Sequence, residues 1–390
     1  MQDKCYRIVY CTPALYSAGG MERVVTAKAN YFAERFGYDV SIIVTEGGDV
    51  HSFFPLSKKV KVINLGLNFE ELWNKPFWKK VVLYLEKQHQ YRKRLKATLL
   101  SIRPDITIST LRREINFIND IRDGSLKIGE LHLSRDSYRA TETDNPSFVK
   151  RLFTKWWKYD IVNHLRRLDT FVVLTHNAIS EWPELDNAIM IPDPMTLNVT
   201  TPSPLDAKRV IAVGRYSYEK GYDILLSVWA MVEKQCEDWQ LDIYGMGDPT
   251  PYVKRMTELS IDKDRCHLNA SLVNVVKEFL HSSILVQPSR FESFGLALVE
   301  AMACGLPVVA FDCENGPRAI ISDGENGYLV PAFQMETFAA RLVKLMKSEE
   351  LRKEMGERGR LSSEQYHIDK VALQWKELFD ELMAERCSTT

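Results

Sequence analysis

Two stretches of this chain, about 200 residues apart, follow the same pattern, and that recurrence constrains the fold more than any other feature. Arg7–Pro13 (RIVYCTP) is an apolar run of strand length. Ala18-Gly19-Gly20 follows, then the amphipathic run Met21–Phe36, then the apolar run Val40–Thr45. Short continuous apolar runs on either side of a helix-length amphipathic segment mark a βαβ unit, whose parallel strands are buried on both faces. The pattern restarts at Val210–Gly214. It passes through a loop carrying Arg215, Lys220 and Gly221 and a helix to about Gln235, and returns to a strand at Leu241–Gly245. Two independent starts of this kind predict an α/β protein of two Rossmann-like domains.

Length agrees, since 390 residues exceed what one hydrophobic core usually organises. Ile191–Asp206 holds Pro192, Pro194, Pro202 and Pro204 and has no periodicity, which predicts a linker. The expected division is an N-terminal domain over 1–190, a linker over 191–206, a C-terminal domain over 207–372, and a C-terminal helix over 373–390 that packs back on the N-terminal domain. That helix closes a long helical pattern, Leu351–Arg386, with Trp375, Leu378, Phe379 and Leu382 on one stripe. A hydrophobic content of 45% with 26% charged residues fits a soluble globular protein, and a net charge of -1 carries no nucleic-acid signal. The seven cysteines are scattered, odd in number and form no CxxC pair, so reduced thiols of a cytoplasmic protein are expected and neither zinc nor a disulfide framework is. The chain enters its first strand without an apolar leader, and no stretch approaches the 18 apolar residues of a membrane span.

Two segments of the N-terminal domain depart from this picture. Residues 75–96 carry eight basic side chains against the single acid Glu86, interleaved with Phe77, Trp78, Val81, Leu85, Tyr91 and Leu95. Residues 150–167 carry six lysines and arginines against Asp160, with Phe153, Trp156, Trp157 and Tyr159 among them. Either could be a helix packing its aromatic stripe on the domain core. Together they point equally to a peripheral contact with an anionic inner-membrane surface.

The chemistry concentrates in Phe291–Glu300 (FESFGLALVE). It lies between the apolar runs Ile284-Leu285-Val286 and Val308-Val309-Ala310 and is closed by Gly305-Leu306-Pro307. This is a strand, a loop with Glu292, a helix carrying Glu300, and a second strand. Helix N-termini at the C-terminal ends of parallel strands bind anions. An acid there suits sugar hydroxyls better than phosphate, so the ligand expected is one with both. The backbone N–H groups of Phe294, Gly295 and Leu296 fall between the two acids, which disfavours a glycosidase-type acid and base flanking one bond. Arg215 and Lys220, at the equivalent turn of the second βαβ start, suit a diphosphate through a planar fork and a point charge. Gly19-Gly20 is not a dinucleotide fingerprint, but it lets backbone amides approach a phosphate.

On these residues the chain resembles the retaining GT-B glycosyltransferases of the GT4 family. Glu292 and Glu300 match their E-x7-E signature, and Val213-Gly214-Arg215 with Lys220-Gly221 is similar to their diphosphate turn. Ala18–Arg23, Glu130-Leu131-His132, Gly316-Pro317-Arg318 and Asp323–Val330 resemble other segments of that family. The closest likeness is to the branch that builds bacterial capsule, O-antigen and exopolysaccharide. The resemblance implies a GT-B fold, two Rossmann-like domains facing across a cleft. It also implies transfer of a hexose or N-acetylhexosamine from a nucleotide sugar to a glycan or undecaprenyl-diphosphate-linked acceptor.

By the same resemblance, Arg215 and Lys220 hold the donor diphosphate and stabilise the departing nucleotide, so no metal and no other cofactor is required. Glu300 accepts from the ribose hydroxyls, and Glu292 contacts the donor sugar. Ser293, Phe294, Gly295 and Leu296 line the sugar and phosphate, Gly20 approaches the diphosphate, and His132 lies near the transferred carbon. Ser293 stands where the family often has glycine, and Cys266–Val273 (CHLNASLV) lacks the usual glycine near the base. Uracil is the expected base, being the commonest in that branch. Two alternatives remain, a GT-B nucleotide-sugar epimerase and a nucleotide-sugar-binding protein without transferase activity.

Overall fold

The computed structural model describes residues 5–48, 51–72, 74–135, 160–272, 274–313 and 315–389. The chain divides into two compact units, Met1–Ile191 with Val371–Thr390, and Pro192–Lys370.

In the first unit the strands are β1 (Arg7–Cys11), β2 (Asp39–Val44), β3 (Lys61–Asn64), β4 (Ile106–Ser109), β5 (Leu126–Glu130), β6 (Thr170–Val173) and β7 (Ala188–Met190). They form one sheet in the order β3-β2-β1-β4-β5-β6-β7, parallel throughout. Ile8, Val9, Tyr10 and Cys11 are all fully buried, as in a strand whose two faces are both covered. The helices are α1 (Gly20–Glu34), α2 (Phe77–Ile102), α3 (helical over 160–166) and α4 (His176–Ser180). Strand order reverses between neighbours β1 and β4, because β1 leads to β2 on one side and β4 to β5 on the other. The loops leaving those two strands therefore diverge and open a crevice, the usual ligand position of an open α/β sheet.

The second unit repeats the plan. Strands β8 (Arg209–Val213), β9 (Gln240–Gly245), β10 (Cys266–Ala270), β11 (Ile284–Gln287), β12 (Val308–Asp312) and β13 (Tyr328–Pro331) form a parallel sheet in the order β10-β9-β8-β11-β12-β13. The helices are α5 (Tyr222–Val232), α6 (Thr250–Glu258), α7 (Val276–Leu280), α8 (Leu296–Ala303), α9 (Gly316–Ile320), α10 (Met335–Lys347) and α11 (Glu349–Ser363); a last helix, α12 (Ile368–Thr389), starts here and from Val371 onward belongs to the first unit. Its switch point lies between β8 and β11. The proline-rich stretch belongs to this unit. Ser203 donates its backbone N–H to the Cys304 carbonyl at 2.8 Å and its hydroxyl to the Ser282 carbonyl at 2.7 Å. The buried guanidinium of Arg352 donates to the Leu205 carbonyl.

The helical pattern over 351–386 is not one helix. It breaks at a 3₁₀ turn, Glu364–Tyr366, followed by an extended His367. Tertiary bonds cause the break. Met195 donates its N–H to the Tyr366 carbonyl at 2.7 Å and accepts from the Ile368 N–H at 2.9 Å, which takes Tyr366 out of the helical ladder. Beyond the break, α12 runs into the first unit. There Phe379 meets Phe32 edge-on at 5.6 Å between ring centroids, and Asp380 accepts from the Tyr6 hydroxyl at 2.5 Å.

Candidate functional site

In the second unit, the loop after β8 and the loop after β11 leave adjacent strands at the switch point. These loops carry Arg215 and Lys220 on one side and Glu292 on the other. Lys220 Nζ lies 2.6 Å from Glu292 Oε2, with the two side chains 21% and 13% exposed. The same oxygen accepts from Gln287 Nε2 and Ser289 Oγ, each at 3.2 Å. Glu292 is thus a carboxylate with three donors on one oxygen, a fixed acceptor at the mouth of the crevice. Arg215 is exposed, and its guanidinium makes no hydrogen bond or ion pair with any described residue. Its charge remains available to an anion.

The two loops are locked together by Arg290. Its guanidinium forks onto Asp223 at 2.8 and 2.6 Å, donates to the Tyr218 carbonyl at 2.8 Å and stacks 4.1 Å from the Tyr218 ring centroid. A bidentate pair of this kind fixes geometry as well as charge. Gly221 makes the approach possible. It holds φ +65°, and a Cβ there would sit 2.1 Å from the Pro288 carbonyl oxygen. Only glycine fits both demands.

Helix α8 starts where the sequence places it, with Gly295 as its N-cap in the left-handed region at φ 101°, ψ 51°. Leu298 donates its N–H to the Gly295 carbonyl at 2.9 Å, which leaves the amides of Leu296 and Ala297 at the open N-terminus of the helix, at the ligand end of the sheet. Phe294 is buried against Tyr366, while Ser293 and Leu296 are half-buried at the loop surface. The Glu292 carbonyl accepts from the Gly316 N–H at 3.1 Å, tying the loop to α9. Glu300, one turn into α8, is only 3% exposed. The structure therefore brings Arg215, Lys220, Glu292, Ser293, Phe294, Gly295, Leu296 and Glu300 to one switch point of one unit. Val273, part of the segment expected near the base, lies outside the described residues.

Gly20 and His132 belong to the first unit. Gly20 is the exposed first residue of α1, with open space where a Cβ would stand. Beside it, Glu22 folds back to accept from Ser17 Oγ at 2.6 Å, which shapes the glycine loop. His132 follows β5, its Nε2 3.4 Å from Glu130 Oε1. Glu130 is 1% exposed and also pairs with the ammonium of Lys28, which is fully buried on α1. Burial pushes the Glu130 carboxyl up, but Lys28 and His132 outweigh it and hold it at about 2. Trp375 of α12 covers the pair, its ring centroid 4.4 Å from Lys28 Nζ. A buried ammonium is tolerable only with such partners.

The sequence from 198 to 362 matches the model of glycosyl transferases group 1. An uncharacterized glycosyltransferase of Haemophilus influenzae is 30% identical over 365 residues, spanning 92% of this chain and 96% of that one. The chain belongs to the group 1 glycosyltransferases. An amylovoran biosynthesis glycosyltransferase, AmsD of Erwinia amylovora, is 34% identical over 44% of this glycosyltransferase, which spans only 48% of AmsD. Staphylococcus aureus TarM, solved in complex with fondaparinux, α-GlcNAc-glycerol and UDP, superposes over 96% of this chain and 99% of its own. The TM-score is 0.76 at 16% identity. That likeness gives the glycosyltransferase its GT-B fold of two Rossmann-like units.

Several positions that shape this glycosyltransferase went unread in its sequence. Gln287, Ser289 and the Arg290–Asp223 pair lie beside the recognised motif but carry no motif of their own. Lys28 sits in an amphipathic helix where a lysine ordinarily faces water. Its signal in the sequence is that Thr26, Lys28 and Ala29 share the apolar side of the run.

Proposed function

We propose that this glycosyltransferase moves a hexose or N-acetylhexosamine from a UDP-sugar to a glycan or undecaprenyl-diphosphate-linked acceptor of cell-surface polysaccharide synthesis. On this reading it retains the anomeric configuration and needs no metal ion. The observation that carries the reading is the Lys220–Glu292 pair with the unpaired Arg215 at the β8/β11 switch point, beside the N-terminus of α8. Arg215 and Lys220 take up the charge that builds on the departing diphosphate, the task a divalent ion performs elsewhere. Glu292, held by Lys220, Gln287 and Ser289, accepts from donor-sugar hydroxyls. Glu300 accepts from the ribose, while the amides of Ser293–Leu296 meet sugar and phosphate. The family resemblance assigns Gly20 to the diphosphate and His132 to the reacting carbon. The bond from the anomeric carbon to the phosphate oxygen breaks, and its electron pair leaves with the nucleotide. The acceptor hydroxyl bonds the carbon from the same face, and its proton passes to the departing phosphate oxygen.

Calorimetry with UDP, GDP and ADP tests the donor site. UDP is expected to bind most tightly, and Glu300→Ala to weaken it at least tenfold. Transfer is expected to persist in excess EDTA. Unchanged UDP affinity in Glu300→Ala would remove the ribose assignment, and activity lost in EDTA but restored by Mn²⁺ would remove the Arg215/Lys220 assignment.

A membrane-side acceptor fits the surface of α2. Trp78, Val81, Val82 and Leu85 form one exposed stripe, with Trp78 at 79%, and the stripe continues into exposed His89, Arg92, Lys93 and Lys96. The inner face of the helix is anchored by buried Tyr91, Leu95 and Leu99. Apolar side chains followed by cations on one face suit acyl boundary and anionic headgroups respectively. Of the second basic segment, 150–159 lies outside the described residues; beyond it Ile161, Val162 and Leu165 are core. No helix among the described residues is long and apolar enough to cross a membrane. Flotation with vesicles containing phosphatidylglycerol is expected to capture the protein, and Trp78→Ser with Leu85→Ser to reduce capture severalfold. Equal capture of the double variant would exclude α2 as the contact.

A further inference from the structure

The loop that leaves β4 in the first unit is held in a strained conformation by buried hydrogen bonds. Leu111 is fully buried yet adopts φ +55°, the left-handed region, where a branched side chain is strained. Three polar groups impose it. Leu111 N–H donates to Ser109 Oγ at 3.0 Å and Arg112 N–H to Glu114 Oε1 at 3.1 Å, while Ser109 Oγ donates to that same carboxylate oxygen at 2.7 Å. Glu114 is itself 1% exposed, and its other oxygen accepts from the Tyr91 hydroxyl at 3.3 Å. The strained turn is thus built, braced and buried, and its outward product is Arg112.

Arg112 is half-buried, and its guanidinium makes no hydrogen bond or ion pair with any described residue. Its neighbour Arg113 is spoken for, stacked 4.4 Å from the Phe69 ring centroid and 3.6 Å from Glu46 Oε1. The buried acids of the adjoining loops are also occupied. Glu46 accepts from Thr45 Oγ1 and the Glu70 N–H, both at 3.2 Å, and Glu114 as above. Among the described residues, none of these carboxylates makes an ion pair with the Arg112 guanidinium. Thr110 N–H bonds the Cys11 carbonyl at 3.0 Å, so this loop departs beside the one that leads from β1 to the glycine turn and α1. Arg112 therefore stands at the β1/β4 switch point, one strand away from β5 and His132.

We infer that Arg112 is the anion-binding residue of an acceptor subsite in the first unit, and that the acceptor carries a phosphate or carboxylate group there. This rests on the transferase reading above, and it adds that an anionic group of the acceptor is bound by Arg112. A guanidinium carried on a braced turn offers a planar fork to a planar or tetrahedral oxyanion.

The test begins by saturating the enzyme with UDP, which fills the donor diphosphate site; failure of UDP to bind would overturn the transferase reading independently. Pyrophosphate and glucuronate are then titrated separately into wild type, Arg112→Gln, Arg112→Lys and the control Arg122→Gln. Binding of either anion to the UDP-loaded wild type, weakened at least tenfold in Arg112→Gln and partly restored in Arg112→Lys, supports the subsite. Pyrophosphate then assigns a phosphorylated acceptor and glucuronate an acidic sugar. No binding of either anion, or equal binding in Arg112→Gln, overturns it. Arg122→Gln should match wild type.

Discussion

Lys220→Met is expected to lower kcat by about 10²–10³-fold, the cost of removing one preorganised charge from a developing oxyanion. Because the ammonium is held 2.6 Å from Glu292 and part-buried, its position before substrate arrives is already fixed. Its stabilisation should therefore be felt in the transition state more than in the ground state, so kcat and kcat/KM should fall together. Glu292→Gln separates the two partners: it keeps an acceptor for sugar hydroxyls but removes the countercharge that orients Lys220. A smaller fall is expected from it than from Lys220→Met. Single-turnover kinetics with a UDP-sugar panel makes the measurement. A Lys220→Met enzyme within threefold of wild type would show that the diphosphate charge is met elsewhere.

Lys28→Met is the second large effect, and it acts on stability. Breaking a buried ion pair by removing one member typically costs about 3–5 kcal/mol, because the remaining charge is left without a partner. Here that charge is Glu130, which at 1% exposure has little water to turn to. The cation–π contact with Trp375 is lost as well. The pH dependence follows from the depressed carboxyl. In wild type the Glu130 pKa is lowered from 4.5 to about 2, so its contribution is complete above about 4.5 and is lost as the pH falls towards 2. Without Lys28, burial is no longer outweighed by that ammonium and the carboxyl moves up. The variant should then lose less stability at pH 5 than at pH 7. Urea unfolding at both values reads this directly. The double variant Lys28→Met with Glu130→Leu should recover much of the loss, since an apolar pair of similar volume can replace a buried ion pair. A single-variant loss below about 1 kcal/mol at pH 7 would show that water reaches the pair.

Much of this molecule could be read before folding was considered. The strands at Arg7–Cys11 and Arg209–Val213, the glycine turns after them and the loop that starts α8 are local features. Apolar period, glycine tolerance and helix start signals act over fewer than about twenty residues and need no partner to be recognised. Glu292 and Glu300 were legible for the same reason, lying on one short strand–loop–helix segment.

Other features depend on contacts that no window of sequence contains. The helical pattern over 351–386 has no break signal, and the turn at Glu364–Tyr366 exists because Met195 takes its backbone bonds. Composition left α2 open between a packed stripe and an exposed one. Tertiary packing decided it by burying Tyr91, Leu95 and Leu99 and leaving Trp78 and Leu85 outside.

The sequence by itself determined two parallel α/β sheets and the placement of their glycine and acid loops, because those rest on local periodicity and on which side chains can occupy a turn. Only the tertiary structure decided that Lys28 is buried against Glu130, that Arg290 locks two loops through Asp223, and that the Arg112 guanidinium pairs with none of the described residues. Burial and pairing of a charge depend on what the rest of the chain brings within a few ångströms, and that is set by the packing of residues about 70 to 100 positions apart.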